Sequence, residues 1–350
     1  MEKSPKLKIA IIADPELAVP PLLYGGIERI IAMLIDDYVK LGHEVSLFAH
    51  SNSKTKAKLF PYKGKTSSGF SDVLKNTYLI NKEIFSYKYD IIHSFGRLIY
   101  LLPQMPFSIP KLMSYQREPT ISQILIAKNF AKRSSLAFTG CSRYISDQIL
   151  PYANAYPIYN GVDLEKFNFN PEININAPLV FLGRIEPIKG VHLAIKVAKA
   201  TDKNLIIAGN ITEPYMKYFE QEVKPFLNEK IIYIGEVDDI KKNEILGSAF
   251  AFLMPIEWNE PFGIVMAEAM ACGTPIIGMN KGSVPEIISP LINGFICDNI
   301  EEMIDAVSKT GKLDRRMVRA EAEERFSSSV IANQYLNLYN QLITNESINF

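Results

Sequence analysis

Short runs of apolar, mostly β-branched residues alternate along this chain with longer amphipathic stretches, and the alternation starts afresh past the middle. LKIAIIA (7–13), IERIIAMLIDDYVKLG (27–42) and EVSLFA (44–49) read as strand, helix and strand, the signature of βα units on a parallel sheet. After a polar stretch, DIIHS (90–94), KLMSY (111–115) and LAFTG (136–140) read as further strands, with helices near 119–132 and 142–150. PLVFLG (178–183), NLIIAG (204–209), IIYIG (231–235), AFAFLMP (249–255) and TPIIGM (274–279) restart the pattern. Helical stretches at 191–200, near 214–227 and near 238–247 separate them. The polar segment NFNPEININAP (168–178) interrupts the rhythm as a linker would. An eight-stranded barrel is the rival, but that interruption favours two doubly wound α/β domains in tandem. With 350 residues the chain also exceeds the size at which one core usually stops growing.

Lys+Arg and Asp+Glu both number 38, so overall charge points to no nucleic-acid partner. Cys141, Cys272 and Cys297 are far apart and form no CxxC or Cys/His cluster. That argues against a disulfide framework or a zinc site and suits a reducing cytoplasm. The apolar run after MEKSPK is too short and strand-like for a signal peptide, and no segment reaches the ~18 apolar residues of a membrane span. The expectation is a soluble cytoplasmic protein, or one peripheral to the inner face of a membrane.

In an open parallel sheet, ligands bind at the carboxyl ends of the strands, and each motif follows a strand. IEWNEPFGIVMAEAMACGTP (256–275) sets Glu260 and Glu268 eight positions apart. Pro261 suits a first helical turn, which would leave the N–H groups of Phe262, Gly263, Ile264 and Val265 free and partly positive. One carboxylate before these amides and one about two turns behind can take hydroxyls at opposite ends of an elongated ligand. A solvated helix glutamate is the bland alternative for Glu268, and the small apolar residues of MAEAMACG argue against it. GRIEPIKG (183–190) offers Arg184 and Lys189 in a glycine-bounded loop able to hold a diphosphate, or to be an ordinary solvated turn. In PPLLYGGIERII (20–31), Gly25 and Gly26 precede a helix and can bring amides to an anion, although no GxGxxG occurs.

Two basic stretches remain. SNSKTKAKLFPYKGK (51–65) reads as a flexible solvated loop, with contact to anionic lipid or an acidic acceptor as the sharper alternative. ISQILIAKNFAKRS (121–134) reads as an interfacial helix or as one packed on its own domain.

EPFGIVMAE resembles the E-x(7)-E motif of the retaining glycosyltransferases of family 4. GRIEPIKG resembles that family's phosphate loop, YGGIER its N-terminal glycine loop and YNGVDLEKF (159–167) its interdomain segment; GSVPEII (282–288) and INGFICD (292–298) match segments beyond the motif. The resemblance implies a GT-B fold, two Rossmann-like domains facing across a cleft. Residues 1–165 would form the acceptor side, with a final helix at about 328–350 packing back onto it, and 166–327 the donor side. It implies retaining transfer of a hexose from a UDP- or GDP-sugar to a glycan, lipid-linked or small-molecule acceptor. No cofactor and no metal are implied, in keeping with the lack of a D-x-D. By the same resemblance Glu268 takes the ribose hydroxyls, and Arg184 and Lys189 the diphosphate. Glu260 and the amides of Phe262, Gly263 and Ile264 hold the sugar, with Val265 also on the donor side, and Gly25 and Gly26 close on the phosphates. His93 either faces the sugar or is a satisfied residue at a strand end. SYQREPT (114–120) departs from the family, which often has a histidine there, in a region that shapes the acceptor site. A nucleotide-sugar epimerase or a catalytically silent nucleotide-sugar-binding protein would share these features.

Overall fold

The computed structural model describes residues 5–22, 25–174 and 176–344. They fall into two compact units: those up to Gly161 together with those from Ser328 onward, and Val162–Ser327. The sequence reading set the crossing after 165.

The first unit is built on seven parallel strands: β1 (Lys8–Ile12), β2 (Glu44–Ala49), β3 (Lys58–Pro61), β4 (Ile91–Ser94), β5 (Lys111–Tyr115), β6 (Leu136–Gly140) and β7 (Ala155–Pro157), ordered β3-β2-β1-β4-β5-β6-β7. Ile9 sits beside Val45 on one side and Ile91 on the other, and all three are buried. Such continuous apolar runs are what a sheet covered on both faces requires. Helix Gly26–Lys40 buries Ile30, Ile31, Leu34, Ile35 and Tyr38, a stripe at helical spacing, and ends at Leu41 before Gly42. Helix Ser328–Thr344 packs on it and buries Ile331, Tyr335, Leu338 and Tyr339, and the Tyr38 and Tyr339 hydroxyls meet at 3.1 Å. Burying each of these large side chains contributes about 1.5–3 kcal/mol. The last six residues of the helix expected to about 350 lie outside the described residues.

The second unit has six parallel strands: β8 (Leu179–Leu182), β9 (Leu205–Ala208), β10 (Ile231–Tyr233), β11 (Ala251–Met254), β12 (Ile276–Met279) and β13 (Gly294–Cys297), ordered β10-β9-β8-β11-β12-β13. Leu179, Phe181, Ile207, Leu253 and Ile277 form the heart of its core. In both units the chain moves outward from the first strand on one side, then crosses to the other. That leaves a switch point between β1 and β4, and another between β8 and β11.

Three expectations need correction. The segment 168–178 is not a free linker: Arg315 donates to the Asn170 carbonyl at 2.7 Å, and Asn170 Nδ2 to that of Gly247 at 3.1 Å, all inside the second unit. The lysine-rich stretch 51–65 is not merely a solvated loop, because it contains edge strand β3, where Lys58 lies over the Phe60 ring, and Lys56 pairs with Asp36. A single helix near 214–227 is broken into a short α-turn, a π-turn Phe219–Val223 and a 3-10 turn Lys224–Phe226, as Pro225 cannot donate to the ladder.

Among the described residues no helix is long and apolar enough to cross a membrane, and no cluster of His, Cys, Asp and Glu could hold a metal ion. The three cysteines are buried and none is in a disulfide.

Candidate active site

The two strongest motifs emerge side by side, since β8 and β11 are hydrogen-bonded neighbours: GRIEPIKG follows β8 and the two-glutamate stretch follows β11. Gly190 has φ 73°, and a Cβ there would lie 1.9 Å from the Pro255 carbonyl oxygen, so glycine lets the first loop close onto the end of β11. The Glu257 N–H then bonds the Ile188 carbonyl at 2.9 Å. From the other side Gly282, φ 54°, lies flat against the backbone of Glu260, where a Cβ would come within 2.4 Å of its carbonyl oxygen. The Ser283 N–H bonds that same carbonyl at 2.9 Å, and the Ser283 hydroxyl bonds the Phe262 carbonyl at 3.0 Å. Glu260 is therefore gripped between two loops.

The helix of this motif runs Ile264–Ala271, with Gly263 as its left-handed N-cap, φ 76°. Pro261 and Phe262 precede it, which corrects the expected start: the first-turn amides are those of Ile264 and Val265, and Phe262 is buried against Phe326. The helix is short and almost wholly buried, and Glu268 is buried with it.

Each motif carboxylate is tied to a lysine by one oxygen. Lys189 Nζ donates to Glu260 Oε2 at 2.5 Å, and Trp258 Nε1 donates to the same oxygen at 2.9 Å. The Lys189 ammonium also lies 4.6 Å from the centre of the Trp258 ring. Lys242 Nζ donates to Glu268 Oε1 at 2.5 Å and lies 3.3 Å from Asp239. Among the described residues no hydrogen bond is made by Glu260 Oε1 or Glu268 Oε2. Arg184 lies 2.8 Å from the buried Glu186 carboxylate, at an angle that misses hydrogen-bond geometry, and keeps about a third of its side chain exposed.

Sequence reasoning missed Lys242, Glu186 and Trp258. Lys242 meets Glu268 only in the folded unit, whereas Glu186 stands in the quoted loop itself, two residues after Arg184. Trp258 carried a signal, as the chain's one tryptophan two residues before Glu260.

In the first unit Gly25 caps helix Gly26–Lys40 and is buried; Leu23 and Tyr24 of the same motif lie outside the described residues. Glu28, raised above the ordinary carboxylate range mainly by burial, turns its carboxylate onto its own N–H within the first turn. His93 is a correction. It has no exposed surface, and both ring nitrogens are engaged inside the unit, Nδ1 with the Tyr339 hydroxyl at 2.5 Å and Nε2 with the Ser114 hydroxyl at 2.6 Å. Burial pushes its pKa down to about 3, so it is a neutral core histidine that presents nothing to a ligand.

Residues 165–325 match the family model described as "Glycosyl transferases group 1", and residues 24–166 match "Glycosyltransferase Family 4". Spore coat protein SA of Bacillus subtilis (strain 168) is 23% identical over 381 residues, spanning 95% of this chain and 99% of that protein. Phosphatidyl-myo-inositol mannosyltransferase of Mycobacterium leprae (strain TN) is 27% identical over 212 residues, 56% of each chain. Among solved structures, Anabaena Alr3699/HepE in complex with UDP and glucose aligns with a TM-score of 0.73 and 18% identity, over 96% of this chain and 100% of that one. With its two Rossmann-like units of GT-B type and its paired family matches, the chain belongs to the family 4, group 1 glycosyltransferases.

Proposed function

We propose that the crevice at the ends of β8 and β11 binds a nucleotide-diphosphate sugar, UDP- or GDP-linked, and that the protein transfers its hexose with retention to a glycan, lipid-linked or small-molecule acceptor. The observation that carries this reading is the pair of half-engaged carboxylates: each of Glu260 and Glu268 has one oxygen anchored by a lysine and the other left to accept. Anchoring fixes the rotamer before a ligand arrives, so little ordering entropy remains to oppose binding. Glu268, deep in the helix, would take the ribose diol; Glu260, on the loop, would take hydroxyls of the sugar. The UDP and glucose in the Anabaena complex, a property of that protein, are of the same chemical kind.

Breaking the sugar–phosphate bond leaves negative charge growing on the diphosphate. Arg184 and Lys189 would stabilise that charge more in the transition state than in the ground state, which is how fixed cations accelerate such a step. The Ile264 and Val265 amides add partial positive charge from the helix start. No protein nucleophile is assigned; the departing phosphate would accept the acceptor's proton on the same face.

Calorimetry with UDP, GDP, ADP and the matching nucleosides tests the cradle. The expected result is a nucleoside diphosphate bound at least tenfold more tightly than its nucleoside, and equal affinities would remove Arg184 and Lys189 from the site. Turnover in excess EDTA and the anomeric coupling constant of the product test metal independence and retention.

A further inference from the structure

Lys189, Trp258 and Glu260 meet in one three-way contact, all of it inside the second unit. The Lys189 and Glu260 side chains are only 15% and 12% exposed, so their pairing at 2.5 Å is poorly screened by solvent. It is also the one hydrogen bond that the Lys189 ammonium makes among the described residues. The face of the Trp258 ring, 4.6 Å away, steadies the cation from another side. An ammonium cancelled in this way has little charge to lend a diphosphate. Lys189 can serve the leaving group only by giving up Glu260.

The two partners differ in how freely they can part. Lys189 carries its charge on a flexible four-carbon stem, at the end of the short turn Pro187–Lys189. Glu260 cannot follow it: Gly282 and Ser283 hold its backbone, and Trp258 Nε1 donates to Oε2 at 2.9 Å. The indole N–H is a donor only, so it can keep this bond when the ammonium has gone. The other lysine–glutamate pair is built differently. Among the described residues Glu268 Oε1 is held by Lys242 alone, and Lys242 has a second carboxylate, Asp239, at 3.3 Å to keep it in place.

Resting on the donor reading above, we propose that binding of the nucleotide is an exchange of partners. The Lys189 ammonium leaves Glu260 for the incoming diphosphate, and Trp258 is the positioning residue that keeps Glu260 aimed while it does so. The diphosphate then meets a full positive charge, and the carboxylate faces the sugar with lone pairs no longer shared with a cation. Lys242 and Glu268 stay paired throughout. Because only a diphosphate draws the ammonium across, a free sugar meets a carboxylate still engaged by lysine, and the sugar subsite is completed by the nucleotide itself.

Trp258 is the chain's one tryptophan, so its indole N–H gives a single nuclear magnetic resonance in the full chain carrying isotopically labelled tryptophan. Glu260→Ala supplies the position of that resonance without its acceptor. Saturation with UDP, GDP or ADP, whichever binds most tightly, should leave the wild-type resonance nearer to its starting position than to that reference. Calorimetry with the same nucleotide then closes a cycle of Lys189→Met, Glu260→Gln and the double variant. Glu260→Gln alone should bind about threefold more tightly, because no ion pair has to be broken. Lys189→Met should cost roughly fivefold more affinity in the Glu260→Gln background than in the wild type. Effects of the two substitutions that simply add, or an indole resonance that moves to the Glu260→Ala position, would overturn the exchange. Wild type that binds none of the three nucleotides removes the donor reading and the exchange with it; tight binding with additive effects removes the exchange alone.

Discussion

The two sheets share one strand order at their switch points, β2-β1-β4 in the first unit and β9-β8-β11 in the second, yet the side chains gathered there are in different states. In the second unit the charges are already matched, Lys189 with Glu260, Lys242 with Glu268 and Arg184 beside Glu186. In the first, Arg97 and Arg117 act on Asp14 beside Glu16 with no ion pair within 4 Å among the described residues, and the Tyr115 hydroxyl and Gln116 Nε2 make no hydrogen bond. Equal topology thus offers the same place for a ligand in both units, while the local pairing of side chains makes the two places chemically different. On the donor reading proposed above, the matched set would be preorganised for a ligand rich in hydroxyls and phosphate, whereas the unmatched set bears the cost of its unmade hydrogen bonds.

The largest test of this contrast is Arg184→Ala, expected to lower kcat/KM by roughly 100-fold through loss of transition-state charge stabilisation, read in a product-release assay. Next comes Glu268→Ala, expected to weaken UDP or GDP by roughly 10- to 30-fold by calorimetry, with a lower Tm because Lys242 loses its buried partner. Unchanged nucleotide affinity would take Glu268 out of the site. Glu260→Ala, on the loop, should act mainly on turnover. For the first unit, His93→Ala should cost about 2 kcal/mol of stability through lost packing and hydrogen bonds to Tyr339 and Ser114, leaving kcat per folded molecule unchanged. A kcat loss without a stability loss would return His93 to the chemistry.

The smallest effect is pH-dependent. Asp14 is easier to protonate in the fold, with its pKa raised from 3.8 to about 6, so the penalty of ionising it is absent below pH 3.8 and complete once pH passes about 6. Asp14→Asn should therefore raise stability by about 1–2 kcal/mol at pH 8, and the gain should vanish at pH 4 in denaturant melts. A gain that persists at pH 4 would mean the carboxylate's charge is not the cause.

Most of the sheet order was legible because interior strands of a parallel sheet must be continuously apolar. What escaped has specific causes. Edge strand β3 carries lysine and ends in proline, as edges do, and reads as a loop. Strand β7, AYP, ends in proline, and β13, GFIC, opens with glycine, so neither carries a β-branched apolar run like those of the strands that were read. Helix Phe70–Ser86 hid because its outer face carries Phe70, Leu74, Tyr78 and Phe85 while Asn76 and Asn81 point inward, which blurs the usual periodicity. At the site, the glutamates and the Arg184/Lys189 loop were readable from local spacing. Lys242 was not, because it lies 26 residues before Glu268 and only folding brings them together. His93 misled for a related reason: it follows an apolar run at a strand end, but β4 lies between β1 and β5, and helix Ser328–Thr344 closes over it.

That closing helix has a consequence for how the protein is made. The hydroxyl that completes the shell around His93 belongs to Tyr339, encoded after the whole of the second unit. As the chain leaves the ribosome, the first unit emerges early but lacks one wall for the roughly ten to thirty seconds that translation of the intervening residues takes. The second unit is itself complete only once Ser327 has been made, twelve residues before Tyr339, so throughout that interval the first unit waits with the apolar side of its missing helix uncovered. The half of the molecule that is synthesised first cannot close until the other half has been made.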